Sequence, residues 1–206
     1  MKTKHNWKGA ILALALALLE AGAKAADMPT LDPNDSRVAD RKALRDVLVL
    51  TEQAFNKIDV EAVIGVLEKD AIVVWQDAVR TISHQQVRDH YKQTFQGVGA
   101  ILKSLDIKAT LGGPARFYGD DQAVAYGTTR ETYQLVAGGT VALDGLWTTH
   151  VAKRDGKWKI TALHFSTNPF DNDIVKKAGQ ASWLFGIVGI VVGLLLGWLI
   201  GRRRKA

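Results

Sequence analysis

The sequence predicts an α+β domain on a membrane anchor: a curved antiparallel sheet packed on three N-terminal helices, then one C-terminal transmembrane helix. Three observations predict it. Apolar residues keep helical spacing as far as Phe95, and after Gly99 the period changes to two. Turn dipeptides punctuate the second half at Gly112-Gly113, Asp120-Asp121, Gly138-Gly139 and Asp155-Gly156. Trp183 to Ile200 is eighteen residues without a charge, closed by Arg202-Arg203-Arg204-Lys205.

The elements follow in order. Lys2, Lys4 and Lys8 precede an apolar run from Ala10 to Leu19 and an Ala23-Lys24-Ala25 site, the layout of a signal peptide over residues 1–25. Ten apolar residues rise only about 15 Å as a helix, too short to cross a bilayer. Residues 26–35, with Pro29 and Pro33, read as a flexible lead-in to a domain over 36–170. Ser36 is placed to cap a first helix whose apolar stripe is Leu44, Val47, Leu48, Thr51, Phe55 and Ile58. Asp59 caps a second helix with Val60, Val63, Ile64 and Leu67, and Ala71 to Trp75 reads as a buried strand. Ser83 and Gln86 form a capping box for a third helix bearing Val87, Tyr91 and Phe95. Strands follow near 105–111, 115–118, 122–136, 140–154 and 158–166, the last two joined at Asp155-Gly156. Such a sheet, curling over the first helices, encloses an apolar cavity.

The tail reads as a juxtamembrane linker over 171–182, a transmembrane helix over 183–201 and a basic cytoplasmic end over 202–206. Eighteen residues span about 27 Å, enough for the hydrocarbon layer. Trp183 and Trp198 stand near the two interfaces, and the basic cluster stays inside. The expectation is a bacterial inner-membrane protein, single-pass, with its domain in the periplasm. Gly189, Gly193, Gly197 and Gly201 recur every four residues, a stripe for close helix packing and self-association. No Gly-Gly or Pro-Glu-Pro motif precedes Trp183, so a plain anchor is preferred over a processed sorting signal.

Charge excludes one class of function. The formal net charge is +6, yet residues 1–25 hold +3, residues 176–206 hold +6 and the middle holds −3. A mildly acidic domain has no basic face for nucleic acid. Cysteine is absent, which excludes disulfides, thiol nucleophiles and thiolate metal centres. No phosphate loop or metal motif occurs, and neither a cofactor nor a metal is expected.

Trp147-Thr148-Thr149-His150, Arg154-Asp155-Gly156-Lys157-Trp158-Lys159-Ile160 and His164-Phe165-Ser166 resemble the SnoaL-like branch of the nuclear-transport-factor-2-like superfamily. The likeness covers about residues 36–168 and implies the cone-shaped fold shared with ketosteroid isomerase and scytalone dehydratase. That fold hosts isomerases, dehydratases, cyclases, hydrolases and non-catalytic modules, so the site must decide. The isomerase uses a carboxylate base with a tyrosine and a protonated aspartate as oxyanion hole. The resemblance puts Trp75, Thr51 and Thr148 or Thr149 at those places, and none is kept. Epoxide-hydrolase-like members use two carboxylates bridged by arginine, but Arg130 and Glu131 are adjacent and point to opposite faces.

Histidine remains. A two-residue turn pairs Lys153 with Trp158 and Val151 with Ile160, which sets Trp147 opposite His164. On that register Trp147, Thr149, Val151, Trp158, Ile160, Ala162 and His164 share a face, and His150 takes the other. A bulge would slip the register by one residue. The expected pocket is Trp75, Tyr91, Phe95, Trp147, Thr149, Trp158 and His164, with His164 as candidate acid or base and Asp77 or Asp144 as its nearest carboxylates. His84 and His90 read as solvated, and the faces of the strand bearing Tyr126, Arg130 and Tyr133 stay open. Two functions are carried forward. One is a non-catalytic module that binds a small apolar ligand or dimerises through its sheet. The other is a dehydratase-, cyclase- or isomerase-type enzyme on a small hydrophobic substrate, using His164.

Overall fold

A computed structural model describes Met28 and residues 30–203; the signal-peptide segment and Arg204-Lys205 lie outside the described residues. Helix α1 spans Val38–Asn56 and α2 spans Val60–Val66. Ser36 does not cap α1. The N-cap is Arg37, which has no side-chain cap, and its N–H donates to Asp35 Oδ1 at 2.7 Å. Asp59 caps α2 as expected, accepting from Ala62 N at 3.0 Å. Leu67 opens strand β1 (Leu67–Val74) instead of closing α2. After β2 (Arg80–Thr81), α3 covers His84–Phe95. Ser83 Oγ accepts from Gln86 N at 3.3 Å, while Gln86 Oε1 accepts from Ile82 N at 2.9 Å, one residue beyond the Ser83 N of a reciprocal box.

The meander is β3 (Leu102–Leu111), β4 (Arg116–Tyr118), β5 (Gln122–Leu135), β6 (Thr140–Arg154) and β7 (Lys157–Thr167). Strand order is β2-β1-β7-β6-β5-β3, with β4 beside β5. The sheet is mixed, since β1 lies parallel to β7. A strand before the meander and one at its end meet in the same direction because the whole meander serves as their crossover. β1 is also half-buried, against the expectation of a strand covered on both sides. Val73 is fully buried and Ile72 is 48% exposed.

Two backbone details shape the curve. Asp155 and Gly156 have φ of 49° and 75°, the paired positive values of a tight hairpin between β6 and β7. Gly127 on β5 has no room for a side chain: a Cβ there would stand 1.8 Å from Thr110 O and 2.9 Å from Trp147 Cε2. The close approach lets β3 and β5 bend inward while Trp147 crosses beneath them.

The core lies between the concave face and α1 to α3. Phe55, Trp75 and Phe165 form its aromatic centre, with Phe55 edge-on to both at about 6 Å. Asp40 ties α1 to the last hairpin, accepting from Lys153 Nζ at 2.8 Å and Trp158 Nε1 at 2.9 Å. The Lys153 hydrogen bond, aided by that of Trp158, holds the Asp40 carboxyl below the usual range. Helix α4 runs Asp173–Arg203, and its stretch Asp173–Leu196 is long and apolar enough to cross a membrane. None of that stretch is buried against the domain, which it meets at the first turn through Ala142 N and Asp173 Oδ2.

Candidate functional site

The stripe predicted on α1 is one wall of a cavity of about 340 Å³. Leu44, Val47, Leu48, Thr51 and Phe55 face it from the helix, and Ile107, Ala109, Leu111, Ala125, Leu163 and Phe165 face it from the sheet. The exposed residues Asp32 and Pro114 mark its mouth. Residues 30–35, expected as a flexible lead-in, lie along that mouth. Arg41 Nε donates to Asp35 Oδ2 at 2.5 Å, and its Nη1 donates to Ala115 O at 2.8 Å. The N–H of Arg37 and then the Arg41 guanidinium keep the Asp35 carboxyl below the ordinary range.

Of the predicted pocket, Trp147 and Thr149 line the cavity. Trp75, Tyr91 and Trp158 are buried core instead, and Phe95 packs against Tyr91 at 5.5 Å between ring centres. His164 is turned away. β6 and β7 keep the expected register at Lys153↔Trp158 and Val151↔Ile160, then slip, so that His150 faces Ala162, Thr148 faces His164 and Trp147 faces Phe165. Thr161 is the extra residue. Its hydroxyl lies 2.5 Å from His150 Nδ1 and 3.2 Å from His150 O, which fastens the bulge. Beyond it every side chain changes face: Leu163 and Phe165 point inward, and His164 is exposed on the convex side. Asp144 is exposed there too, paired with Arg130 at 3.3 Å.

Sequence reasoning missed a buried carboxylate. Glu131 is 1% exposed, on the concave face of β5. It accepts from Thr129 Oγ1 at 2.5 Å, from Gln76 Nε2 at 2.6 Å and from the Tyr133 hydroxyl. Three donors on one carboxylate satisfy it without a counter-charge. Burial and then the neighbouring Glu131 push the Tyr133 hydroxyl well above its ordinary range. The signal was available in the period of β5, since Ala123, Ala125, Gly127, Thr129, Glu131 and Tyr133 alternate with Val124, Tyr126, Thr128 and Arg130. Gly145, paired with Thr129, keeps the space clear: a Cβ would meet Thr129 Oγ1 at 2.7 Å.

His90, read as solvated, is packed 4.9 Å from the Trp75 ring, with Asp77 Oδ2 3.7 Å from its Nε2. Burial lowers its pKa, opposed by Asp77. Neither group lines the cavity. His84 is half-buried, its Nε2 3.1 Å from Glu68 O. The cavity therefore offers a mainly apolar volume with a few hydroxyls, and Asp32, Asp35, Arg41, Arg45 and Glu52 also line it; no histidine faces it. No group of metal ligands occurs among the described residues.

The sequence model of the SnoaL-like domain family matches residues 44–171. No curated protein matches the chain. Solved structures share the fold. A hexachlorocyclohexane dehydrochlorinase is 18% identical, covering 66% of this chain and 90% of its own at a TM-score of 0.59. A protein from Novosphingobium aromaticivorans described as a scytalone dehydratase is 12% identical, covering 65% and 87% at 0.57. One from Xanthomonas campestris described as a calcium/calmodulin-dependent protein kinase II association domain is 22% identical, covering 69% and 95% at 0.52. Enzymes and an association domain thus share this backbone, and the side chains carry the distinction.

Proposed function

Because the chain belongs to the SnoaL-like domain family, we propose that it is a non-catalytic, membrane-anchored member that binds a small apolar ligand between α1 and the concave sheet. The cavity carries this reading. Its roughly 340 Å³ falls at the lower end of ligand-sized sites, and its walls are mainly aliphatic and aromatic. General acid–base catalysis needs a titratable group within reach of the substrate. His164, the expected group, is on the opposite face of the sheet, and the carboxylate on the α1 wall, Glu52, is held by the Ala109 N–H at 2.9 Å. The apolar length of α4 supports a single-pass anchor, and the basic residues Arg202 and Arg203 at its end favour a cytoplasmic C-terminus with the domain in the periplasm. Mass spectrometry of the full-length chain purified in lipid nanodiscs tests the reading. A reproducible bound compound is expected on the wild type and lost in Ala109→Trp, which fills the cavity. A wild type that carries no compound and takes up no apolar probe overturns the reading.

A second copy on the convex face is the alternative role. Ile72, Tyr126 and Leu146 are 48%, 39% and 60% exposed there, beside Thr148 and His164. Leu146→Glu should shift a dimer to monomer in multi-angle light scattering, and a wild type already monomeric removes this role.

A further inference from the structure

Every hydroxyl on the inner wall of the cavity has its hydrogen committed to an oxygen that carries none. Thr51 Oγ1 donates to Val47 O at 2.7 Å, and Thr149 Oγ1 donates to Ala162 O at 2.9 Å. Thr129 Oγ1 donates to the Glu131 carboxylate at 2.5 Å. A hydroxyl has one hydrogen and two lone pairs, so each of these threonines turns only lone pairs toward the cavity. The Trp147 indole N–H is also spent, on Thr128 O at 3.2 Å. Glu52, farther along α1, presents a carboxylate whose Oε2 accepts from Ala109 N at 2.9 Å. Arg41 and Arg45 also line the cavity, and the Arg41 guanidinium is engaged by Asp35 and Ala115.

We infer that the ligand is an apolar molecule bearing a hydroxyl or N–H donor, and that the threonine wall of the cavity discriminates against a ketone or an aldehyde of the same shape. This rests on the ligand-binding reading above and sharpens it. A hydroxyl brought to Thr51, Thr129 or Thr149 exchanges its bond to water for a bond to a fixed acceptor. A carbonyl in the same place loses water and finds only lone pairs, the arrangement that leaves a buried polar atom unsatisfied. The positions matter because they come from separate elements: Thr51 from α1, Thr129 from β5 and Thr149 from β6. All three reach the same volume, and all three show the same polarity.

The test uses three bicyclic probes of one shape: tetralin, 1-tetralol and 1-tetralone. Each is titrated into the full-length chain in lipid nanodiscs, with empty nanodiscs as blank and the fluorescence of the tryptophans, Trp147 among them, as readout. Tetralol is expected to bind about tenfold more tightly than tetralin, the scale of one net hydrogen bond. Tetralone should bind no more tightly than tetralin. In Thr149→Val and Thr51→Val, separately, the tetralol-to-tetralin ratio should fall in at least one variant that keeps the wild-type circular dichroism. If tetralin binds but tetralone matches or exceeds tetralol, the donor rule is overturned and the apolar cavity stands. If none of the three binds, the ligand-binding reading falls with it.

Discussion

Glu131 shows how much one residue can hold. Its carboxylate accepts from three side chains, two on its own strand and Gln76 from the turn after β1. Glu131→Ala strands three donors in a buried site, and should lose on the order of 3 kcal/mol of unfolding free energy in urea titration. Glu131→Gln keeps the shape and one acceptor, so its loss should be smaller. Equal losses would mean that shape rather than hydrogen bonding decides. His90 gives the pH dependence. Its folded pKa lies below the ordinary 6.5 because burial against Trp75 outweighs Asp77. The unfolded chain therefore takes up that proton first, so this contribution is full above about pH 6.5 and is lost as the pH falls toward the depressed folded value. Thermal melts between pH 7 and pH 5 should slope less in His90→Gln than in wild type; matching slopes would discard the assignment.

At the scale of elements, the meander depends on close backbone approach. Gly127→Ala puts a methyl into Thr110 O, an atom that cannot move without parting β3 from β5. The expected loss is about 3 kcal/mol or more, with protection from hydrogen exchange lost first on β3. An unaltered melt would show that the strands can shift. The apolar helix is tested differently. Gly189 and Gly193 stand one helical turn apart on the same stripe of α4. Gly193→Ile with Gly197→Ile should abolish self-association in a membrane two-hybrid assay, and undiminished signal would leave the stripe without a packing role.

The whole molecule joins a domain to a helix that buries none of its apolar stretch. Cells expressing the full chain should hold it in the membrane fraction through an alkaline carbonate wash, while a chain ending at residue 172 should appear in the soluble fraction. Release of the full chain by carbonate would argue for surface attachment rather than a span. The order of elements, the α1 stripe, the Asp155-Gly156 hairpin and the apolar tail were all legible in the sequence, because each rests on short-range periodicity or local turn chemistry. Trp147 and Thr149, expected in a pocket wall, line the cavity. Trp75, Tyr91 and Trp158 were foreseen as wall and proved to be core, since an apolar residue carries no mark telling a filled interior from a lined one. Whether His164 looks in or out turned on one residue. Strand side chains alternate with a period of two, so the single extra residue at Thr161 exchanges the faces of everything after it. Composition does not announce a bulge; it is decided where β6 and β7 must both follow the curve and still bury Leu163 and Phe165 against α1.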